Sequence, residues 1–249
     1  DVKAFIEGDG STGIQAGSVT LKAEDTSKIS AVTGAATLAA AVGAVGVGVS
    51  IGVAGAYNVI SNDVAAFIID ATVTTNDYDY TTQNSPNELI KGDRVQFNGE
   101  IYEYIGIDRL DPTNILPAVN LATEVYTNEA LWKKVDKTIQ VAAVEAATIS
   151  ALTTAASFGA GFGLAGVAVS GAGATATNII LTKTNAYVTD SKLVSSGDVV
   201  LKASDTSTIN AIVAASSAAI AGGAAGVGVS FGASMARNLI GWDLFGNKT

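Results

Sequence analysis

The chain contains no cysteine and no histidine. That removes disulfide staples, thiol or imidazole nucleophile–base pairs, and the ordinary His/Cys zinc site. Charge is also scarce: 15% of residues are charged, and the formal net charge is −9. An acidic chain lacks the basic patch that nucleic acid demands and is repelled by an anionic membrane surface. There are only three prolines, all between residues 86 and 117, so the rest of the chain is free of that strand breaker.

What is present in quantity is glycine, alanine and one repeated phrase. Gly46-Val47-Gly48-Val49-Ser50 recurs as Gly166-Val167-Ala168-Val169-Ser170 and as Gly226-Val227-Gly228-Val229-Ser230, and each copy is followed by an asparagine: Asn58, Asn178, Asn238. Residues 17–58 and 197–238 align without a gap, with 23 of 42 positions identical. Self-similarity at this period indicates supersecondary units that bury their faces against one another. Asp1-Val2-Lys3-Ala4-Phe5-Ile6 is itself echoed by Asp63-Val64-Ala65-Ala66-Phe67-Ile68. The sequence thus begins within a repeat and ends near the same phase. This fits a window of a longer repetitive chain, or a subunit continued head to tail by another copy through Asp1, Val2 and Phe5 at one end and Asn238, Trp242 and Phe245 at the other.

Three stretches, 29–62, 146–182 and 206–236, carry no formal charge and are long enough to cross a bilayer. Their period argues against a membrane helix. Val45, Val47, Val49, Ile51 and Val53 alternate with Gly46, Gly48, Ser50, Gly52 and Ala54, a two-residue repeat that suits a strand. A helix would lose about 1 kcal/mol at each such glycine relative to alanine. The phrase is therefore expected to be a buried strand, and no membrane span is favoured; a membrane-inserted Gly/Ala-rich protein is the second alternative. The alanine-rich runs 35–41, 155–160 and 214–221 suit helix and strand almost equally, with the alternation of residues 29–33 tilting them to strand. The expected fold is mainly β: a β-solenoid, or β-helix, of ~60-residue repeats with an apolar interior and small residues where coils crowd. Repeat 1 occupies 1–75, a small inserted β-hairpin module 76–136, and repeats 2 and 3 occupy 137–249.

The run Gly-Asp-Val-x-Leu-x-Ala, Ile-x-Ala, an Ala/Gly stretch, Gly-Val-Gly-Val-Ser and Asn-x-Ile-x-Asn resembles the repeats of giant bacterial filamentous adhesins and exoproteins. The resemblance covers residues 1–73 and 137–243. It implies a non-enzymatic, extracellular or cell-surface structural protein, a building block of an adhesin or filament, whose partner is itself.

The insert differs in composition. Residues 76–136 hold 11 acidic and 5 basic side chains, all three prolines and five of the seven tyrosines. Asn98-Gly99 between alternating apolar residues is a strong hairpin signal. Gly92, Asp93, Val95, Phe97, Gly99, Tyr102 and Trp132 follow a pattern similar to small chitin-binding-type carbohydrate modules. That resemblance implies surface polysaccharide as a partner, with Tyr80, Tyr104 and Trp132 as aromatic platforms. The competing reading makes the aromatics the module's own small core. Asp77 and Asp79, and the acidic turn 108–111, are the only carboxylate groupings that invite Ca²⁺, and they lack a full ligand loop. No other cofactor is expected. Lys22/Lys202 and Asp25/Asp205 recur in register, which suits a structural edge better than a single catalytic centre.

Overall fold

The computed structural model describes residues 1–10, 13–75, 78–109, 119–195 and 197–248. It is mainly β, with 71% of the described residues in strands. Strands β1 (Val2–Glu7) and β2 (Gly13–Gln15) open the chain. The first repeat supplies β3 (Val19–Asp25), β4 (Lys28–Val42), β5 (Val45–Ile69) and β6 (Thr72–Thr74). The insert supplies β7 (Tyr80–Thr81), β8 (Arg94–Phe97), β9 (Glu100–Tyr104) and β10 (Trp132–Lys134). The second repeat continues with β11 (Ile139–Glu145), β12 (Thr148–Phe162), β13 (Ala165–Thr189) and β14 (Lys192–Val194). The third ends with β15 (Val199–Asp205), β16 (Thr208–Gly222) and β17 (Ala225–Ile240).

Corresponding strands of successive repeats lie side by side. Four parallel sheets result, ordered β1-β5-β13-β17, β3-β11-β15, β4-β12-β16 and β2-β6-β14. Identical phrases meet in register: Val49 lies beside Val169 and Val169 beside Val229; Ile29, Ile149 and Ile209 form another row. The alanine-rich runs are therefore strands. Pairing across copies satisfies their backbone and lays each alanine on its counterpart, an advantage that outweighs alanine's intrinsic helix preference.

The layers have two parts. In the body, Val64, Ile68, Val73, Ile139, Val141 and neighbouring residues form a conventional apolar core. Beyond it, the sheet β4-β12-β16 and the outer half of the sheet β5-β13-β17 pack against each other as a two-layer fin whose strands join at a turn near residues 43–44, 163–164 and 223–224. The fin inverts the expected polarity. Its inner faces carry Gly46, Gly48, Ser50, Gly52 and Ala54 opposite Thr33, Ala35, Thr37, Ala39 and Ala41, while Val45, Val47, Val49, Ile51 and Val53 point outward. Val42 is 85% exposed and Val53 70%, whereas Ser170 and Thr153 are fully buried.

Glycine explains the inversion. A methyl group on Gly52 would sit 2.8 Å from the carbonyl oxygen of Ala156, and one on Gly48 would collide with that of Ala160. The two backbones approach too closely for a valine between them, so the β-branched side chains occupy the opposite face of each pleat. The expected apolar interior is thus correct for the body and incorrect for the fin.

The insert forms its own antiparallel and parallel sheet, ordered β10-β9-β8-β7. The Asn98-Gly99 turn joins β8 to β9 with both residues at positive φ, 51° and 82°, the geometry of a type I′ hairpin.

Candidate functional site

The insert's aromatic residues converge on its interior. Leu89, Val95, Tyr104, Leu121, Tyr126 and Trp132 are buried together. The Tyr104 and Trp132 rings meet edge to face with centroids 5.2 Å apart, and Phe97 stacks on Tyr126 at 4.6 Å. Tyr104 and Trp132 are each only 1% exposed, so neither offers the open ring face that sugar stacking requires. The platform expected from these two residues is corrected to a structural core. Tyr80 is half-buried against the same cluster; burial, reinforced by Asp93, Asp79 and Glu88, pushes its phenol pKa up.

A polar network that no sequence spacing signalled locks this core. Arg109 reaches Glu124 with two donors, Nη1 to Oε1 at 2.6 Å and Nη2 to Oε2 at 3.2 Å. Trp132 Nε1 donates to the same Oε2 at 3.3 Å, and Arg109 Nε donates to the Tyr104 hydroxyl at 3.1 Å. The Arg109 hydrogen bonds hold the Glu124 carboxyl below its usual range. Burial, with Glu124 nearby, pushes the Tyr126 phenol up to about 12. These groups brace one another.

The calcium candidates divide. Asp77 lies outside the described residues, as does Asp111. Asp79 Oδ2 already accepts from the Arg94 backbone N–H at 2.8 Å, and Asp108 Oδ1 from that of Lys91 at 2.7 Å. Among the described residues no group of three or more His, Cys, Asp or Glu side chains is arranged to hold a metal.

The repeats create side-chain rows that recur from layer to layer. Asn58 Nδ2 donates to Asn178 Oδ1 at 2.8 Å, and Asn178 Nδ2 donates to Asn238 Oδ1 at 2.9 Å. On the body's surface Phe5 stacks on Phe67 at 5.2 Å and Phe67 on Tyr187 at 5.0 Å. A third row is electrostatically unfavourable: Asp25, Glu145 and Asp205 lie in register on β3, β11 and β15. Ser27 and Ser207 backbone N–H groups cap the two aspartates, and Asn62 and Thr182 also donate to them. Glu145 is fully buried with both carboxyl oxygens unpartnered. Burial, then its neighbours Asp25 and Asp205, pushes its pKa up to about 7.

The residues assigned to self-assembly occupy opposite flanks of the stack. Val2 and Phe5 lie on β1, beside Val64 and Phe67, while Asp1 pairs with Lys3 at 3.4 Å. Asn238 lies on β17, the outermost strand on the far side. Trp242 is covered in part by Lys248, whose ammonium lies 4.7 Å from the ring centre, and Phe245 is 89% exposed. Comparison with known proteins finds no matching family model, no matching curated protein and no matching solved structure.

Proposed function

We propose that this chain is a β-solenoid segment of an extracellular, cell-surface structural protein, a non-enzymatic building block of an adhesin or filament that extends by adding further copies of the same layer. The observation that carries the reading is the directional asparagine row. Each Nδ2 donates to the Oδ1 of the next layer, so one flank ends on the Asn58 oxygen and the other on the Asn238 amide N–H groups. Those two ends are complementary. A further layer on either flank, from the same chain or another copy, would extend the row in the same sense and pair the exposed edge of β17, where a lone edge would otherwise template unwanted pairing. Such a contact is head to tail and does not close on itself, so it makes a fibre.

In-register repetition favours a structural over a catalytic role. The groups that recur are asparagines, aromatics and close-packed glycines, and a reactive centre needs a single unrepeated constellation.

Sedimentation velocity and electron microscopy over a range of concentrations test the proposal. Particles that lengthen with concentration, and revert to short ones in Asn238→Asp, are expected. The aspartate still accepts from Asn178 but has no donor for an incoming Asn58 oxygen. Short, uniform particles at every concentration reject self-assembly.

A further inference from the structure

The fin has the polarity of a membrane protein. Interior hydroxyls bond within the fin: Ser50 Oγ donates to Thr37 Oγ1 at 2.9 Å, the Ser157 and Ser170 hydroxyls lie 2.5 Å apart, Thr33 Oγ1 donates to Thr153 Oγ1 at 3.1 Å, and Ser217 Oγ donates to the Phe231 carbonyl oxygen at 2.6 Å. Its backbones are held together by glycine and alanine, the small-residue packing that suits a medium offering no hydrophobic drive between elements. Apart from the Thr154, Thr175 and Ser216 hydroxyls, its exterior is apolar on both sides. Val32, Leu38 and Val42 face out from one sheet, and Val45, Val49 and Ile51 from the other.

From these observations we propose that the fin inserts into the hydrocarbon of a lipid bilayer, tip first. Three features favour lipid over a protein partner. Both broad faces and the tip, where Leu164 is 74% exposed, are apolar at once. A fluid apolar phase covers all three together, whereas a second copy laid flat covers one face and leaves the other open. The dimensions also agree. Outward residues run apolar or small from Val32 to Val42 on one face and from Val45 to Gly55 on the other. Each run extends roughly 35 Å at strand rise, against a hydrocarbon core of about 30 Å. Finally, polarity returns at the base of both faces at matching depth. Ser30, Ser150 and Asn210 form a row on one side, and Tyr57, Thr177 and Arg237 on the other, a polar and aromatic border of the kind that sits at the headgroups. No formal charge falls between these borders.

The inference rests on the stacking reading, because hydrocarbon tolerates only paired backbone and an isolated fin would carry open strand edges into it. Added layers pair those edges and leave open strands only at the two ends of the stack. The membrane is then entered by strands, which is consistent with the fact that no helix among the described residues is long and apolar enough to span one.

The absence of cysteine makes the test direct. Leu38→Cys, carrying an environment-sensitive fluorophore, reports on the fin, and Lys202→Cys on the body. With zwitterionic phosphatidylcholine vesicles, the chain is expected to float in a density gradient. The Leu38 label should shift to the blue and be quenched by nitroxide lipids, with the Lys202 label unchanged. Val49→Glu/Val229→Glu alters only outward positions, so circular dichroism should be preserved while the vesicle-bound fraction falls at least ten-fold. Wild type that does not float overturns the proposal, as does a double variant that floats equally well. So does a Leu38 label that is already shifted to the blue without vesicles and is not quenched when nitroxide lipids are added, which would make a second copy the occupant. Lipid-free sedimentation of the same samples reads stacking separately. A chain that assembles but does not float overturns the lipid proposal alone, and one that floats without assembling overturns the stacking reading alone.

Discussion

Asn58 donates its side-chain amide to the oxygen of Asn178 at 2.8 Å, and Asn178, fully buried, repeats the gesture toward Asn238. The middle residue is therefore both acceptor and donor, and its loss strands a group on each side. Asn178→Ala is expected to cost about 2–4 kcal/mol, one unmet donor and one unmet acceptor at 1–3 kcal/mol each with partial relief by water. Asn238→Ala leaves only the Asn178 donor unmet, next to an exposed edge that water reaches, and should cost about 1 kcal/mol. Urea unfolding of both variants gives the ratio; equal effects would mean the row contributes nothing specific.

The inverted fin makes the small residue the sensitive one. At Gly48 an added methyl collides with the Ala160 carbonyl oxygen, so Gly48→Ala must push two sheets apart, at about 1–3 kcal/mol or more. Its neighbour Val47, 54% exposed, should accept Thr within about 0.5 kcal/mol. Thermal unfolding that ranks Val47→Thr as the more damaging change would contradict the placement of these faces.

Period-two alternation made the strands and their register legible before the structure, because a repeated phrase can pair with its copies only at offsets that match it. The same alternation left open which face points inward. Val47 and Gly48 are both compatible with either side until the opposing sheet is known to approach within a methyl of Gly48. In the insert, Asn98-Gly99 announced its hairpin through backbone preference alone. The fate of Tyr104 and Trp132 did not follow from their pattern, since an aromatic at a given strand position serves equally as platform or core. The Arg109–Glu124 pair was invisible because its members lie 15 residues apart in the sequence, with no periodic pattern to link them.

That pair yields a test of the insert. Glu124 accepts from Arg109 twice and from Trp132 once, so Glu124→Ala leaves a half-buried guanidinium and an indole N–H without their partner. A loss of about 2–4 kcal/mol is expected, seen as an earlier, red-shifted transition in Trp132 fluorescence. Because the folded-state pKa of Glu124 is lowered from its ordinary 4.5, the wild-type contribution is present above that value and is lost as pH falls through the folded pKa. Trp132→Ala should unfold the insert, not merely abolish binding to a sugar surface. Chitin retention that is lost while the insert's near-ultraviolet circular dichroism is kept would restore the platform reading.

Glu145 has the opposite sign. Its carboxyl is buried between Asp25 and Asp205, so the folded state favours the proton and the pKa rises from 4.5 to about 7. A group whose folded pKa is raised stabilises fully below the unfolded value, and that stability drains away as pH climbs through the folded one. Between pH 4.5 and 7 the wild type should therefore lose stability with rising pH, by up to about 1.4 kcal/mol per unit from this residue. Glu145→Gln, which is neutral at every pH, should flatten that slope and be the more stable protein at pH 8. The difference between the two denaturation curves isolates Glu145 from every other titrating group. Parallel curves across the whole window would show that the row of three carboxyls is relieved in some other way.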